Sequence, residues 1–95
     1  MIRVHVKLAD FLSRITQQPQ SELEIAEDST VADVIGLLAN RFGDDFQKAL
    51  VDSEGKLRKQ IVIAMNGVVL AHEKTRTAAV REGSRITIIP VTGGG

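Results

Sequence analysis

The chain has 95 residues and a formal charge of zero, with twelve basic side chains against twelve acidic ones. That length holds one domain, and the charge balance argues against nucleic-acid binding, which demands a basic surplus; the absence of Trp and Tyr removes the usual base-stacking platforms as well. There is no cysteine, which excludes a disulfide framework, a zinc-thiolate site, a side-chain persulfide and a thiol nucleophile.

Met1 to Lys7 alternates apolar and charged residues and builds no signal-peptide core. No apolar run approaches membrane-spanning length, so a cytoplasmic protein is expected. The alternation of Ile2, Val4 and Val6 with Arg3, His5 and Lys7 predicts a strand with one buried face, and Ser21 to Ile25 repeats it with Leu23 and Ile25 inward. Between them, Leu8 to Gln20 reads as a long hairpin loop, in which Phe11, Leu12 and Ile15 could form a helical turn under the core.

The clearest helix follows: Val31, Val34, Ile35, Leu38 and Phe42 make a single apolar stripe. Thr30 and Asp33 have the spacing of a capping box, Asp28 and Asp33 suit the positive end of the helix dipole, and Gly43 supplies the stop. Asp44 to Val51 carries Phe46, Ala49 and Leu50 at helical spacing, and 52–55 reads as a turn. Ile61 to Met65 fits a central strand, with Asn66-Gly67 as a tight hairpin into Val68 to Leu70. Ala71 to Val80 has no clean period. After a Glu82-Gly83 turn, alternation resumes from Ser84 to Val91, with Ile86 and Ile88 on one face, until Pro90 ends the ladder and releases the chain. The order predicts an α+β domain, one main helix packed on one face of a mixed sheet of four to five strands.

The final segment, Ser84-Arg85-Ile86-Thr87-Ile88-Ile89-Pro90-Val91-Thr92-Gly93-Gly94-Gly95, resembles the last strand and tail of the ThiS/MoaD sulfur carriers, ubiquitin-like proteins of the β-grasp fold. The helix start Thr30-Val31-Ala32-Asp33-Val34, the segment Asp52-Ser53-Glu54-Gly55-Lys56-Leu57-Arg58 and the Asn66-Gly67 hairpin resemble that family too, so the likeness covers nearly the whole chain. It implies a β-grasp domain over 1–91 and a flexible tail over 92–95.

The resemblance implies that an activating enzyme of the ubiquitin-activating type adenylates the terminal carboxylate with ATP and magnesium. A sulfur donor such as a cysteine desulfurase or rhodanese then converts it to a thiocarboxylate, which an acceptor synthase subunit consumes. The chain would bind no cofactor or metal and would be a substrate or subunit instead of an enzyme. Family members usually end on two glycines and this chain on three, so the reactive end is Gly95, or Gly94 after removal of Gly95, or Gly95 is an addition to the natural end. Length favours the molybdopterin-synthase small subunits and the cysteine or amino-acid biosynthesis carriers over the thiazole type. A protein modifier forming isopeptide bonds, or a binding module with an inert tail, are the alternatives.

Glycine suits such a tail because, without a Cβ, it takes extended and positive-φ conformations and lets partner backbone close in. Five residues beyond Pro90, at roughly 3.3 Å each, reach about 16 Å. Thr92, Gly93 and Gly94 form the tail, and Ile89, Pro90 and Val91 are the candidate docking residues at its root. Lys56-Leu57-Arg58-Lys59 is read as a solvated loop or a contact for an acidic partner, with the same ambiguity at Arg81 and Arg85. His5 and His72 are too scattered for a metal site, and no triad, phosphate loop or dinucleotide fingerprint is present.

Overall fold

The computed structural model describes residues 1–91. Five strands, β1 (Ile2–Leu8), β2 (Gln20–Ile25), β3 (Ile61–Met65), β4 (Val68–Leu70) and β5 (Arg85–Pro90), form one sheet in the order β2-β1-β5-β3-β4. β1 and β5 run parallel at its centre, and every other neighbouring pair is antiparallel. Helices α1 (Phe11–Thr16), α2 (Val31–Phe42) and α3 (Asp44–Leu50) and a 3₁₀ helix (His72–Arg76) complete it. This is the β-grasp arrangement expected from the sequence.

The strand phases fall as read. Val4 and Val6, Leu23 and Ile25, Ile61 and Ile63, and Ile86 and Ile88 are all buried on the inner face. α2 covers them with Val31, Val34, Ile35 and Leu38, while Phe42 is only half-buried and meets Phe46 with ring centroids 5.4 Å apart. The capping box at its start is formed: Asp33 N–H donates to Thr30 Oγ1 at 3.3 Å, and Thr30 N–H to Asp33 Oδ2 at 2.9 Å. Caps of this kind stabilise a helix by about 1 kcal/mol.

Gly43 ends α2 and starts α3 at once. Its N–H bonds Ala39 C=O at 2.9 Å and its C=O accepts Gln47 N–H at 3.1 Å, with φ at +88°, a conformation that side chains disfavour. α3 then buries Phe46 and Leu50 fully.

Two connections gain structure beyond the sequence pattern. The one read as a hairpin loop, with a helical turn as the alternative, is the helix α1, so the alternative holds: Leu12 lies wholly inside the core, while Ile15 stays 39% exposed. The gain from burying one leucine holds so short a helix where its own propensity would not. The aperiodic stretch after β4 contains the 3₁₀ helix and then anchors the start of α2: Val31 N–H donates to Ala78 C=O at 3.0 Å and Val80 N–H to Ser29 C=O at 2.9 Å.

Candidate functional site: the strand exit and the open sheet face

β5 delivers the chain to the site, and its backbone geometry explains where proline is tolerated. Gln60 and Asn66, on either side of β3, bond Val91 and Arg85, so the even-numbered residues of β3 face β5 and the odd-numbered ones face β4. Within β5, residues 86, 88 and 90 therefore turn their backbone groups towards β1. Ile88 C=O accepts Ala9 N–H at 3.1 Å, after which the chain leaves for α1. The missing N–H of Pro90 thus faces a place where β1 no longer offers an acceptor, and the substitution costs no ladder bond.

Proline does not end the pairing, as the sequence reading had it. Pro90 stands opposite Ile61, and Val91 N–H still donates to Gln60 C=O at 2.6 Å. The chain is held to β3 through residue 91. Of the three candidate docking residues, Ile89 is half-buried on the open face opposite Val62, Val91 is 49% exposed, and Pro90 is buried in the inward phase with Ile86 and Ile88. Pro90 accordingly offers its ring to the interior. Thr92, Gly93, Gly94 and Gly95 lie outside the described residues.

The open face has two halves. On the β3–β4 side, Val62, Ala64, Val69 and Ile89 share the outward phase, and Val69 is 67% exposed. The sequence reading found Ile89 and missed the other three. The alternation within Ile61 to Met65 was the available signal, masked because the run is apolar throughout.

The β1–β2 side is charged. Arg3 lies 3.8 Å from both Glu22 and Glu24, and His5 Nδ1 is 3.5 Å from Glu22 Oε1. Beside these pairs a shallow depression of about 600 Å³ is lined by His5, Lys7, Gln20, Glu22, Arg85 and Thr87. Surface pairs of this kind contribute little stability and mainly set the local field.

His72, dismissed as a ligand on spacing grounds, has a structural role. The β3–β4 register places Ile63 opposite Leu70, and continuing it places His72 opposite Ile61. There the main chain has already turned into the 3₁₀ helix, and the ring supplies the missing bond, with Nε2 2.6 Å from Ile61 C=O. Since a carbonyl can only accept, Nε2 carries the proton.

In the 52–56 turn, Asp52 Oδ1 accepts Glu54 N–H at 2.8 Å and Lys56 N–H at 3.1 Å. The bond from the Lys56 backbone does most to hold this carboxyl below its ordinary value, helped by the Glu54 bond and the charges of Arg58 and Lys56. Among the described residues no cluster of His, Asp or Glu could hold a metal, and no helix is long and apolar enough to cross a membrane.

A mixed five-stranded sheet with the last strand at its centre and α2 packed across one face is the ubiquitin-like β-grasp fold. The model of the ThiS family matches residues 6–95, and the chain belongs to that family of ubiquitin-like sulfur carriers. Among solved structures it is similar to SAMP1 from Haloferax volcanii (20% identity, TM-score 0.85, covering 98% of this chain and 99% of that one). It is also similar to small archaeal modifier protein 1 from Methanosarcina acetivorans (25%, TM-score 0.77, 100% and 98%). A third likeness is to the Amycolatopsis orientalis BexX/CysO complex (27%, TM-score 0.76, 97% and 99%). A comparison with curated proteins returned no match.

Proposed function

We propose that this chain carries sulfur on its own terminal carboxylate and leaves catalysis to its partners. The observation that carries the reading is the strand exit. Val91 is fixed to Gln60 by a 2.6 Å bond, and four residues, three of them glycine, follow that fixed point. The family match running to residue 95 supports it, since the likeness includes those residues. On this reading 1–91 is the domain and 92–95 the working tail, with a reach of up to about 13 Å when extended.

A carboxylate is a poor electrophile until it has a leaving group. The terminal carboxylate oxygen attacks the α-phosphorus of ATP and pyrophosphate departs, giving an acyl-adenylate. The outer sulfur of a donor's cysteine persulfide then adds to the acyl carbon and AMP leaves, giving an acyl disulfide. A second thiol attacks the donor's sulfur, closes a disulfide with it and releases the thiocarboxylate, so that a C–O bond is exchanged for a C–S bond and the two thiols supply the two electrons. ATP, magnesium and the groups that stabilise the developing charge belong to the activating enzyme, and the sulfur comes from a donor such as a desulfurase or rhodanese. We assign the apolar half of the open face, Val62, Ala64, Val69 and Ile89, with Val91, as the surface that meets the activating enzyme. The likeness to a BexX/CysO complex supports a carrier that works beside a partner enzyme, of the cysteine or amino-acid type or of the molybdopterin-synthase type.

A second reading has an observation of its own: two of the similar structures are named small archaeal modifier proteins or by that abbreviation, SAMP1. A modifier shares the activation step and ends in an isopeptide bond. Intact-protein mass after incubation with ATP, the host's activating enzyme and a sulfur source separates the two. The carrier gains the mass difference of sulfur over oxygen, mapped to Gly95 or Gly94, whereas a modifier appears in higher-mass conjugates. An unchanged mass with no conjugates overturns both.

A further inference from the structure

We infer that the basic corner beside the strand exit, formed by Lys48, Arg58 and Lys59, docks against an acidic rim on the activating enzyme; this rests on the carrier reading above. Val91 is bonded to Gln60, so any enzyme that takes the following residues closes on the flank formed by the residues just before Gln60. Those residues are Arg58 and Lys59.

The corner is held in place. Arg58 Nε donates to Lys48 C=O at 2.8 Å, and Arg58 N–H donates to Leu50 C=O at 2.8 Å, which fixes the arginine over the end of α3. Among the described residues, ion pairs engage Arg3, His5 and Lys56, and none engages Lys48, Arg58 or Lys59. Asp52 is within the field of Arg58, but its Oδ1 is committed to the N–H groups of Glu54 and Lys56.

The other flank has the opposite sign. Ala9 bonds Ile88, and the exposed Asp10 follows it. The exit therefore lies between cations on the β3 side and a carboxylate on the β1 side. With zero net charge the whole chain offers no long-range attraction to either sign, so this local asymmetry sets how a partner approaches. Rim charges of this kind act chiefly on encounter rate and salt dependence.

The test is ATP–pyrophosphate exchange by the host's activating enzyme as a function of carrier concentration. The variant Lys48→Glu/Lys59→Glu changes two exposed side chains and leaves Arg58 in place; an unaltered melting temperature checks its fold. We expect its half-saturating concentration to rise about five-fold or more at low salt, with maximal rate unchanged and the difference shrinking as salt is added. Lys48→Arg/Lys59→Arg behaves as wild type, and so does Lys74→Glu, which reverses an exposed charge on the 3₁₀ helix. Wild-type half-saturation in the Glu variant overturns this proposal alone. Absence of exchange with the wild-type chain overturns the carrier reading and this proposal with it.

Discussion

The His72 ring replaces a backbone donor in the sheet, and removing it leaves the Ile61 carbonyl without a partner. We expect His72→Ala to lower stability by about 1–3 kcal/mol, measured by urea denaturation, because an unmatched acceptor is penalised by its lost solvation. Asp52 predicts a pH dependence. Its carboxyl titrates lower in the folded chain than in the unfolded one, whose value is near 3.8, so its contribution is complete above that value and is lost as pH falls through the lower folded value. The difference in melting temperature between wild type and Asp52→Asn should therefore shrink as pH is brought below 3.8. Neither role was visible in the sequence. His72 acts through a register partner eleven residues earlier, and Asp52 was read only as part of a turn.

Among the elements, those defined by local chemistry were legible. The α2 stripe, its Thr30–Asp33 cap and the Asn66-Gly67 hairpin, with φ of 53° and 85°, all follow from neighbouring residues. α1 was legible only as an alternative to a loop, and the segment after β4 was not legible at all, because each is held by contacts distant in sequence: Leu12 by the core, and Ala78 and Val80, just after the 3₁₀ helix, by the start of α2. Two glycines show how local geometry decides the outcome of one substitution. Gly36 lies within α2 at a helical φ, and an added Cβ there meets nothing within 4 Å. Gly36→Ala should stabilise the chain by about 0.5–1 kcal/mol, whereas Gly43→Ala, at φ +88°, should destabilise it by about 1 kcal/mol or more. Thermal melts of the two variants should move in opposite directions.

At the scale of the molecule, the sheet separates two tasks. Its inner face packs against α2 and makes the core, and its outer face leaves Val69 exposed and Val62, Ala64 and Ile89 half-buried; under the function proposed above, that outer face is the one that meets a partner. The sequence revealed the inner face through period-two alternation. It did not reveal that Val62, Ala64 and Val69 lie beside Ile89, because strand order is set by non-local pairing. Nor did it show that Arg58 and Lys59 flank the exit, which depends on the Gln60–Val91 bond.

The position of β5 also bears on how the chain is made. It is the last strand in chain order, yet it fills the centre of the sheet between β1 and β3. During synthesis the β1–β2 hairpin and the β3–β4 hairpin therefore emerge as two halves, each with an open inner edge, and no amount of local folding can join them until residues 85–90 arrive. A nascent or truncated chain lacking residues 85–90 therefore has no assembled sheet, and the outward surface that Ile89 shares with Val62 and Ala64 exists only once this last strand is in place.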